Sequence, residues 1–296
     1  MEWNEILLVC AALLPAIALC IYVYKKDRVE KEPIGLLMGL LVLGALSCYP
    51  AGELESVAFD WIREIFKPFG QESEGVLYLS DTTYKIYNAV KYVFGVALIE
   101  EGIKFLILFT VTKDNKNFNS LFDGLIYAIF VSLGFAALEN VFYVLRYGWQ
   151  TAIARAIYSV PGHMFFSVLM GYGYSMWHMY KLAARQEKEL KKLALIPHNV
   201  KEYSGTASIV WALVLPIAAH GLYDYCCTIE SVVGDVVLYL LMLFLYFHCF
   251  SRIHKMSRND MKDSTFVGAL IVKKYPYLLD LFTKKQDVEQ PAATEE

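Results

Sequence analysis

The amino-acid sequence predicts an all-α, polytopic membrane helix bundle with about seven transmembrane helices. Of the 296 residues, 57% are hydrophobic and only 19% are charged, which is too apolar for an ordinary soluble domain. Apolar runs of the roughly 20 residues that cross a bilayer recur along the chain. Because these runs are continuous and do not alternate apolar with polar residues, they predict helices and not the strands of a barrel.

The predicted spans follow one another along most of the chain. They are Ile6–Tyr24, Ile34–Tyr49, Ile86–Thr112, Leu121–Leu145, Thr151–Tyr180, Ala207–Ile229 and Val232–Phe250. Between the second and third spans, Leu54–Phe69 carries apolar residues at helical spacing and is predicted to lie on the membrane surface. If this stretch inserts, the bundle has an eighth span. Gly35 and Gly39 form a Gly-x-x-x-Gly pattern, which predicts close packing against another helix.

The charges of the connecting loops predict the orientation of the bundle. Lysine and arginine dominate the first, third and fifth connections and the segment after the last span, whereas the second connection is acidic. Because cytoplasmic loops are enriched in lysine and arginine, the amino terminus is predicted outside and the carboxyl terminus in the cytoplasm. Residues 1–254 then form the membrane-embedded bundle. Residues 255–296 form a cytoplasmic tail, interfacial over Phe266–Phe282 and disordered from Gln286 to Glu296.

Ionisable side chains inside the predicted spans are the feature that bears most on function. A charged group in the hydrocarbon core costs about 2.5–3.5 kcal/mol even on the mildest insertion scale. Four spans nevertheless carry such groups, which are Glu100, Glu101, Lys104, Glu139, His163, His220 and Asp224. Counted at about 1.5 Å per residue from the outer ends of the spans, the acids and imidazoles lie roughly 6–20 Å deep. This common depth predicts one shared site in the outer half of the membrane.

The spacing of these residues indicates their chemistry. Glu100 and Glu101 reach Lys104 at i+4 and i+3, so one acid can take a proton while the lysine holds the other ionised, which suits water activation. The alternative is a buried ion pair that only fixes helix packing. His220 and Asp224 lie at i and i+4, so the carboxylate can orient the imidazole or share a metal with it.

Missing motifs and missing repeats narrow the possible functions. The chain has no His-Glu-x-x-His zinc motif and no Gly-x-Ser-x-Gly serine elbow. A membrane peptidase remains, and so does a proton- or cation-coupled carrier, because acids and histidines within bundles also build proton relays. A non-catalytic sensor or scaffold is the third alternative. The doubled glutamate and the lack of inverted repeats favour the enzyme.

The order of the motifs resembles the PrsW family of intramembrane proteases, which is similar to the CAAX-prenyl-protease and bacteriocin-processing group. The family pattern of Glu-Glu-x-x-Lys, Phe-x-x-x-Glu, a histidine and His-x-x-x-Asp stands here as Glu100–Lys104, Phe135–Glu139, His163 and His220–Asp224. The resemblance covers roughly Ile86 to Ile229, which makes residues 86–229 the expected catalytic core. It implies a multi-pass protease of the bacterial cell membrane. Such an enzyme makes the first of two cuts in a single-span anti-sigma factor, on the outer side.

The expected partners are therefore the single-span substrate and the lipid bilayer, and no nucleic acid. Glu101 is predicted to be the general base, with Glu100 tied to Lys104 as its electrostatic partner, although the two acids are almost equally placed. His163 and His220 would bind the water, the oxyanion of the scissile carbonyl or a metal, and Asp224 would orient His220.

A metal is the alternative to direct catalysis by carboxylate and imidazole. Glu139, His163 and His220 would supply the two-histidine, one-glutamate set that catalytic zinc accepts. The doubled glutamate favours catalysis without an obligatory metal, because a zinc site needs only one base. Zinc remains the candidate cofactor.

Overall fold

The computed structural model describes residues 3–279, and within this range the chain is helical apart from one two-stranded hairpin. The helices are α1 (Trp3–Lys26), α2 (Ile34–Phe66), α3 (Asp81–Val90), α4 (Leu98–Thr112), α5 (Asp123–Tyr147), α6 (Trp149–Ile157), α7 (Ser159–Lys192), α8 (Thr206–Thr228), α9 (Val232–Arg258) and α10 (Asp263–Lys274). A 3₁₀ turn, Lys67–Phe69, leads from α2 into the hairpin of β1 (Gly70–Ser73) and β2 (Val76–Leu79). A π-helical segment, Lys91–Ala97, joins α3 to α4.

Six helical stretches in the described part of the chain are long and apolar enough to cross a membrane. They are Trp3–Lys26, Ile34–Phe69, Asp123–Tyr147, Trp149–Lys192, Thr206–Thr228 and Val232–Arg258. The predicted third span, Ile86–Thr112, is not among them, because it is divided into the end of α3, the π-helical segment and the 15 residues of α4. π-Helical turns are often found at functional sites, and this one ends at Ala97, three residues before Glu100. The count of seven spans stays a prediction.

The stretch Leu54–Phe69 is continuous with the predicted second span, and its place on the membrane surface stays a prediction. Helix α2 does not end at Tyr49 but continues through Pro50 to Phe66, so most of that stretch is its last third. A proline inside a helix removes one backbone hydrogen bond, which the neighbouring helices of a membrane bundle make tolerable. As a result, α2 carries the acidic residues of the predicted outer loop along the bundle.

Helix α5 forms the centre of the bundle. Every residue from Asp123 to Ala136 is buried, and the helix packs against α1, α2, α4 and α7. This is the behaviour expected of a helix that is apolar on all sides. Glu139, one turn beyond this buried stretch, is half-buried and contacts Arg155 of α6 and His163 of α7.

Glycines bring α2 and α5 into backbone contact. A Cβ atom on Gly44 would lie 2.0 Å from the carbonyl oxygen of Val131, and one on Gly134 would lie 2.0 Å from the carbonyl oxygen of Leu41. The close packing predicted for Gly35 and Gly39 is wrong, since a Cβ atom there would meet nothing within 4 Å in the described chain. Both face outward from α2.

The segment after α9 packs on the extension of α7. Val267 and Ile271 of α10 are buried against Ala183 and Leu190 of α7. The buried carboxylate of Glu187 accepts hydrogen bonds from Lys274 (2.5 Å), Tyr275 (2.9 Å) and the backbone N–H of Tyr203 (2.6 Å). Helix α9 runs past residue 254 to Arg258, and the division at 254 stays a prediction. The predicted disordered end and the last residues of Phe266–Phe282 lie outside the described range.

Candidate active site

Glu100, Glu101 and Lys104 form a buried ion cluster at the start of α4. The three residues are 5%, 0% and 1% exposed. The Lys104 ammonium donates to Glu100 Oε2 (2.9 Å) and to Glu101 Oε1 (2.8 Å). It also lies 4.2 Å from the ring centroid of Phe135, which adds a cation–π contact. One turn of a single helix thus supplies two acids and their shared counterion.

His163 on α7 connects this cluster to Glu139 on α5. Its Nδ1 atom lies 3.1 Å from Lys104 Nζ, and its Nε2 atom lies 3.0 Å from Glu139 Oε2. The backbone of α7 is fixed at this point, because the carbonyl oxygen of His163 accepts a hydrogen bond from Ser132 (2.8 Å). Both ring nitrogens of His163 therefore face charged groups from other helices.

His220 on α8 holds the opposite side of the cluster. Its Nδ1 atom lies 3.0 Å from Glu101 Oε1, and its Nε2 atom lies 3.3 Å from Asp224 Oδ2, one turn along the same helix. The imidazole stacks on Phe166 at 4.8 Å between ring centroids. The contact between His220 and Asp224 that their i, i+4 spacing predicts is thus present.

All seven ionisable residues predicted from the sequence lie in one continuous polar network. The network runs from Asp224 through His220, Glu101, Lys104 and His163 to Glu139, with Glu100 attached at Lys104. Four helices contribute to it. The prediction of a shared site is therefore met by the geometry, while the catalytic role of each residue stays a prediction.

Arg155 on α6 is a member of the network that the sequence reasoning missed. It donates through Nη2 to Glu139 Oε2 (2.6 Å) and through Nε to Asn140 Oδ1 (2.9 Å), and its guanidinium lies 4.0 Å from the ring centroid of Tyr143. The signal was available, because Arg155 is a charged residue inside the predicted span Thr151–Tyr180 and meets the criterion that singled out the other seven.

A cavity of about 780 Å³ lies above the network. Glu100, Glu139, His163, His220 and Asp224 line it, whereas Glu101 and Lys104 are packed behind them. The cavity is also lined from α2, by Cys48, Tyr49, Gly52, Glu53, Glu55 and Phe59. Half-buried Glu55 could not be assigned to the site from the sequence, because it seemed to belong to a loop.

The described residues contain one group that can hold a metal ion, made of Glu100, His163 and His220. One ligand atom from each lies within 4.8 Å of the others. The set predicted from the sequence contained Glu139 in place of Glu100, and this part is corrected. Glu139 Oε2 contacts both Arg155 and the Nε2 atom of His163. Glu100 of α4 takes its place in the group.

The surroundings of this group fit a divalent cation. Glu139 and Asp224 each contact the Nε2 atom of one histidine, as the carboxylates that orient metal-binding imidazoles do. The Nδ1 atoms would then bind the metal, and in this structure they contact Lys104 Nζ and Glu101 Oε1. Glu101 Oε2 is buried with no hydrogen-bond partner among residues 3–279. With both imidazoles neutral, two cationic side chains against four carboxylates leave a formal charge of −2, which one divalent cation would balance.

The fold and the site together define a class of protein. A helix bundle of membrane-spanning length that buries carboxylates and imidazoles around the base of a cavity is the architecture of an intramembrane hydrolase. The family model described as "PrsW family intramembrane metalloprotease" matches residues 32–249. This chain belongs to the PrsW family, and it is a multi-pass membrane protein and an intramembrane metalloprotease.

Relatives named "Protease PrsW" agree over most of the chain. The protein of Geobacillus kaustophilus is 29% identical over 219 residues, which cover 74% of this chain and 78% of the relative. That of Clostridioides difficile is 28% identical over 269 residues, or 89% and 96%. That of Bacillus subtilis is 27% identical over 241 residues, or 81% and 90%. No solved structure matches this chain.

The family assignment confirms the resemblance seen in the motifs and decides for the enzyme over the carrier and the scaffold. The description of the family as metalloproteases also favours a metal at the Glu100–His163–His220 group. It counts against the preference for catalysis without an obligatory metal.

Proposed function

We propose that this enzyme cleaves a single-span membrane regulator of the anti-sigma-factor type near the outer face of a bacterial cell membrane. Such a cut is the first step of regulated proteolysis. The family membership supports the reaction class, and the depth of the site supports the side of the cut. With the orientation predicted by the loop charges, the network lies in the outer half of the bundle. The bacterial relatives support the membrane in which the enzyme acts.

The observation that carries the proposal is a buried acid–imidazole network that lines a cavity of about 780 Å³. A peptide bond held in the cavity meets Glu100, His163 and His220 together. In this low-dielectric setting, fixed charges act strongly on a developing oxyanion. A divalent metal held by these three residues supplies Lewis-acid activation of water and of the scissile carbonyl.

The two glutamates take different parts in this proposal. Glu100 lines the cavity, so it is the acid that can reach water, whereas Glu101 is 0% exposed and holds Lys104 and His220. A carboxylate that would hold the metal is not free to act as the general base. We therefore assign Glu100 the role of a metal ligand that reaches the reacting water, and Glu101 a positioning role. This differs from the sequence-based preference, in which Glu101 is the general base.

The remaining residues of the network hold this arrangement in place. Lys104 neutralises the paired carboxylates of α4, which two adjacent acids within a membrane require. Asp224 and Glu139 fix the rings of His220 and His163 from the outside, and Arg155 fixes Glu139.

The proposal is tested with purified enzyme in liposomes and a single-span reporter tagged at both ends. We expect a fragment whose new terminus lies in the half of the reporter's span nearest the outer face. The Glu100→Gln variant should make no fragment while it inserts and folds as the unaltered enzyme does. Absence of cleavage by the unaltered enzyme across several anti-sigma-factor spans, or full cleavage by Glu100→Gln, would refute the proposal.

The orientation has its own test. Single cysteines placed in the Lys181–Tyr203 segment of a cysteine-free variant should react with an impermeant maleimide only from the cytoplasmic side. Labelling from the outer side of intact cells would place the site in the opposite half of the membrane and overturn the proposed side of the cut.

A further inference from the structure

Helices α2 and α5 touch at one level and separate beyond it. At the level of Gly44 and Gly134 the two backbones are in contact, because a Cβ atom on either glycine would lie 2.0 Å from a carbonyl oxygen of the other helix. Gly52 lies two turns further along α2, about 12 Å from Gly44. A Cβ atom on Gly52 would meet nothing within 4 Å in the described chain. Residues of both helices beyond these glycines line the cavity, and we call the open space between them the α2–α5 cleft.

The cleft opens into the catalytic cavity. On α2 the residues that follow Gly44 on the same helical face are Cys48, Gly52 and Glu55, and all three line the cavity. On α5, Phe142 lies two turns beyond Gly134 and lines the cavity too. Thus the space between the two helices is continuous with the site that contains Glu139.

The cleft also reaches the outer surface of the bundle. Tyr49 on α2 and Phe142 on α5 both line the cavity, yet their side chains are 71% and 52% exposed. Both residues lie on helical stretches that are long and apolar enough to cross a membrane. The opening between α2 and α5 is thus bordered by exposed aromatic side chains of two candidate spans.

Another side of the cavity is closed at the level of the site. A Cβ atom on Gly221, the residue after His220, would lie 2.9 Å from Val93 Cα in the π-helical segment. Helix α8 and this segment are thus in backbone contact where α2 and α5 are apart. A substrate that arrives from the membrane has a path between α2 and α5 that it lacks between α8 and the π-helical segment.

We infer that the α2–α5 cleft is the lateral entrance through which the transmembrane segment of the substrate reaches the catalytic residues. This inference rests on the proposed function, since it takes the occupant to be a membrane-spanning substrate. The occupant is set by continuity with the catalytic cavity and by the exposed aromatic border on two candidate spans. A short soluble peptide has no membrane-spanning segment and does not need a path from the bilayer.

The test uses a matched pair of glycine variants on α2. Gly52→Leu fills the cleft, whereas Gly39→Leu adds the same side chain to an outward-facing position in the other half of the helix that also has open space around it. Each variant is assayed on the tagged single-span reporter in liposomes and on a short soluble peptide that contains the mapped cleavage sequence. Thermal unfolding in detergent shows that both variants are folded.

We expect Gly52→Leu to lower kcat/KM for the reporter at least about tenfold more than it lowers kcat/KM for the peptide. Gly39→Leu should cleave both substrates as the unaltered enzyme does. Equal rates for Gly52→Leu and the unaltered enzyme on the reporter overturn the inference, and so does an equal loss on both substrates. If the unaltered enzyme cleaves neither substrate, the proposed function itself has failed.

A second measurement covers the case in which the enzyme accepts the reporter and rejects the peptide. A photoreactive benzoylphenylalanine at Tyr49 or Phe142 in the Glu100→Gln background should cross-link to the reporter's span. The same probe at Phe247, which is 79% exposed on α9 and does not line the cavity, should not. Cross-linking from Phe247 but not from the cleft positions refutes the entrance.

Discussion

Arg155→Met is the substitution that best tests how the network is held together. Glu139 has two charged or polar contacts in the structure, Arg155 Nη2 at 2.6 Å and His163 Nε2 at 3.0 Å. Their side chains are only 14% exposed for Arg155 and 18% for Glu139. Methionine keeps the apolar stem of the arginine but removes the guanidinium, so the carboxylate loses its cation and Tyr143 loses its cation–π contact. His163 then loses the fixed partner of its Nε2 atom.

The expected magnitude follows from this geometry. Breaking a buried ion pair from one side costs about 3–5 kcal/mol, and we expect about 3 because both side chains retain some exposure. At the site, loss of a carboxylate that orients an imidazole typically lowers metal affinity or activity by about 10–100-fold. Arg155→Lys should fall between, because a lysine reaches Glu139 but cannot also bind Asn140 and stack on Tyr143.

The assay combines three readouts on enzyme purified in detergent. They are zinc affinity by competition with a chromophoric chelator, kcat and KM on the single-span reporter, and thermal unfolding. Arg146→Met is the matched control, since Arg146 lies in the last turn of α5 over Tyr147 (5.3 Å) and does not line the cavity. A merely structural role predicts loss of stability with unchanged zinc affinity in the folded fraction. Unchanged zinc affinity and kcat in Arg155→Met would refute the reasoning.

Three further predictions concern the metal, the helix crossing and pH. Mass spectrometry should find close to one zinc ion per chain. His220→Ala should lose this zinc and Glu55→Gln should keep it, because His220 belongs to the ligand group and Glu55 does not. Zinc retained in His220→Ala would refute the ligand set. Gly134→Ala should destabilise the protein by about 1–3 kcal/mol in thermal unfolding, because the added methyl group overpacks against Leu41. Gly39→Ala should have no such effect. An unaltered Tm for Gly134→Ala would contradict the close contact of α2 with α5. Burial, reinforced by the neighbouring Asp123, raises the pKa of Glu32 in the α1–α2 loop from 4.5 to about 8. The folded protein therefore binds that proton more tightly than the unfolded chain, so the free energy of unfolding should fall as pH rises from about 4.5 to about 8. Glu32→Gln should remove this part of the pH dependence. An identical pH dependence in the variant would contradict the prediction.

The sequence by itself determined the fold class and the seven ionisable residues of the site. Both follow from a local cost, because each charged residue within an apolar span is unfavourable in lipid whatever the rest of the chain does. The contact of His220 with Asp224, and that of Lys104 with Glu100 and Glu101, follow from helical spacing alone. These parts could be predicted because one helix holds both partners.

The tertiary structure decided which groups from different helices meet. Glu100 in place of Glu139 in the metal-binding group depends on the rotation of α4 and α5 about their axes, and no spacing within one helix determines it. Arg155 acts on Glu139 only because α6 folds back against α5. Glu55 reaches the cavity because α2 continues through Pro50, which the local preference of proline opposes and the packing of the bundle overrides. Such contacts depend on how whole helices cross and rotate. For α2 and α5, the close contacts of Gly44 and Gly134 with the opposite backbones fix the crossing.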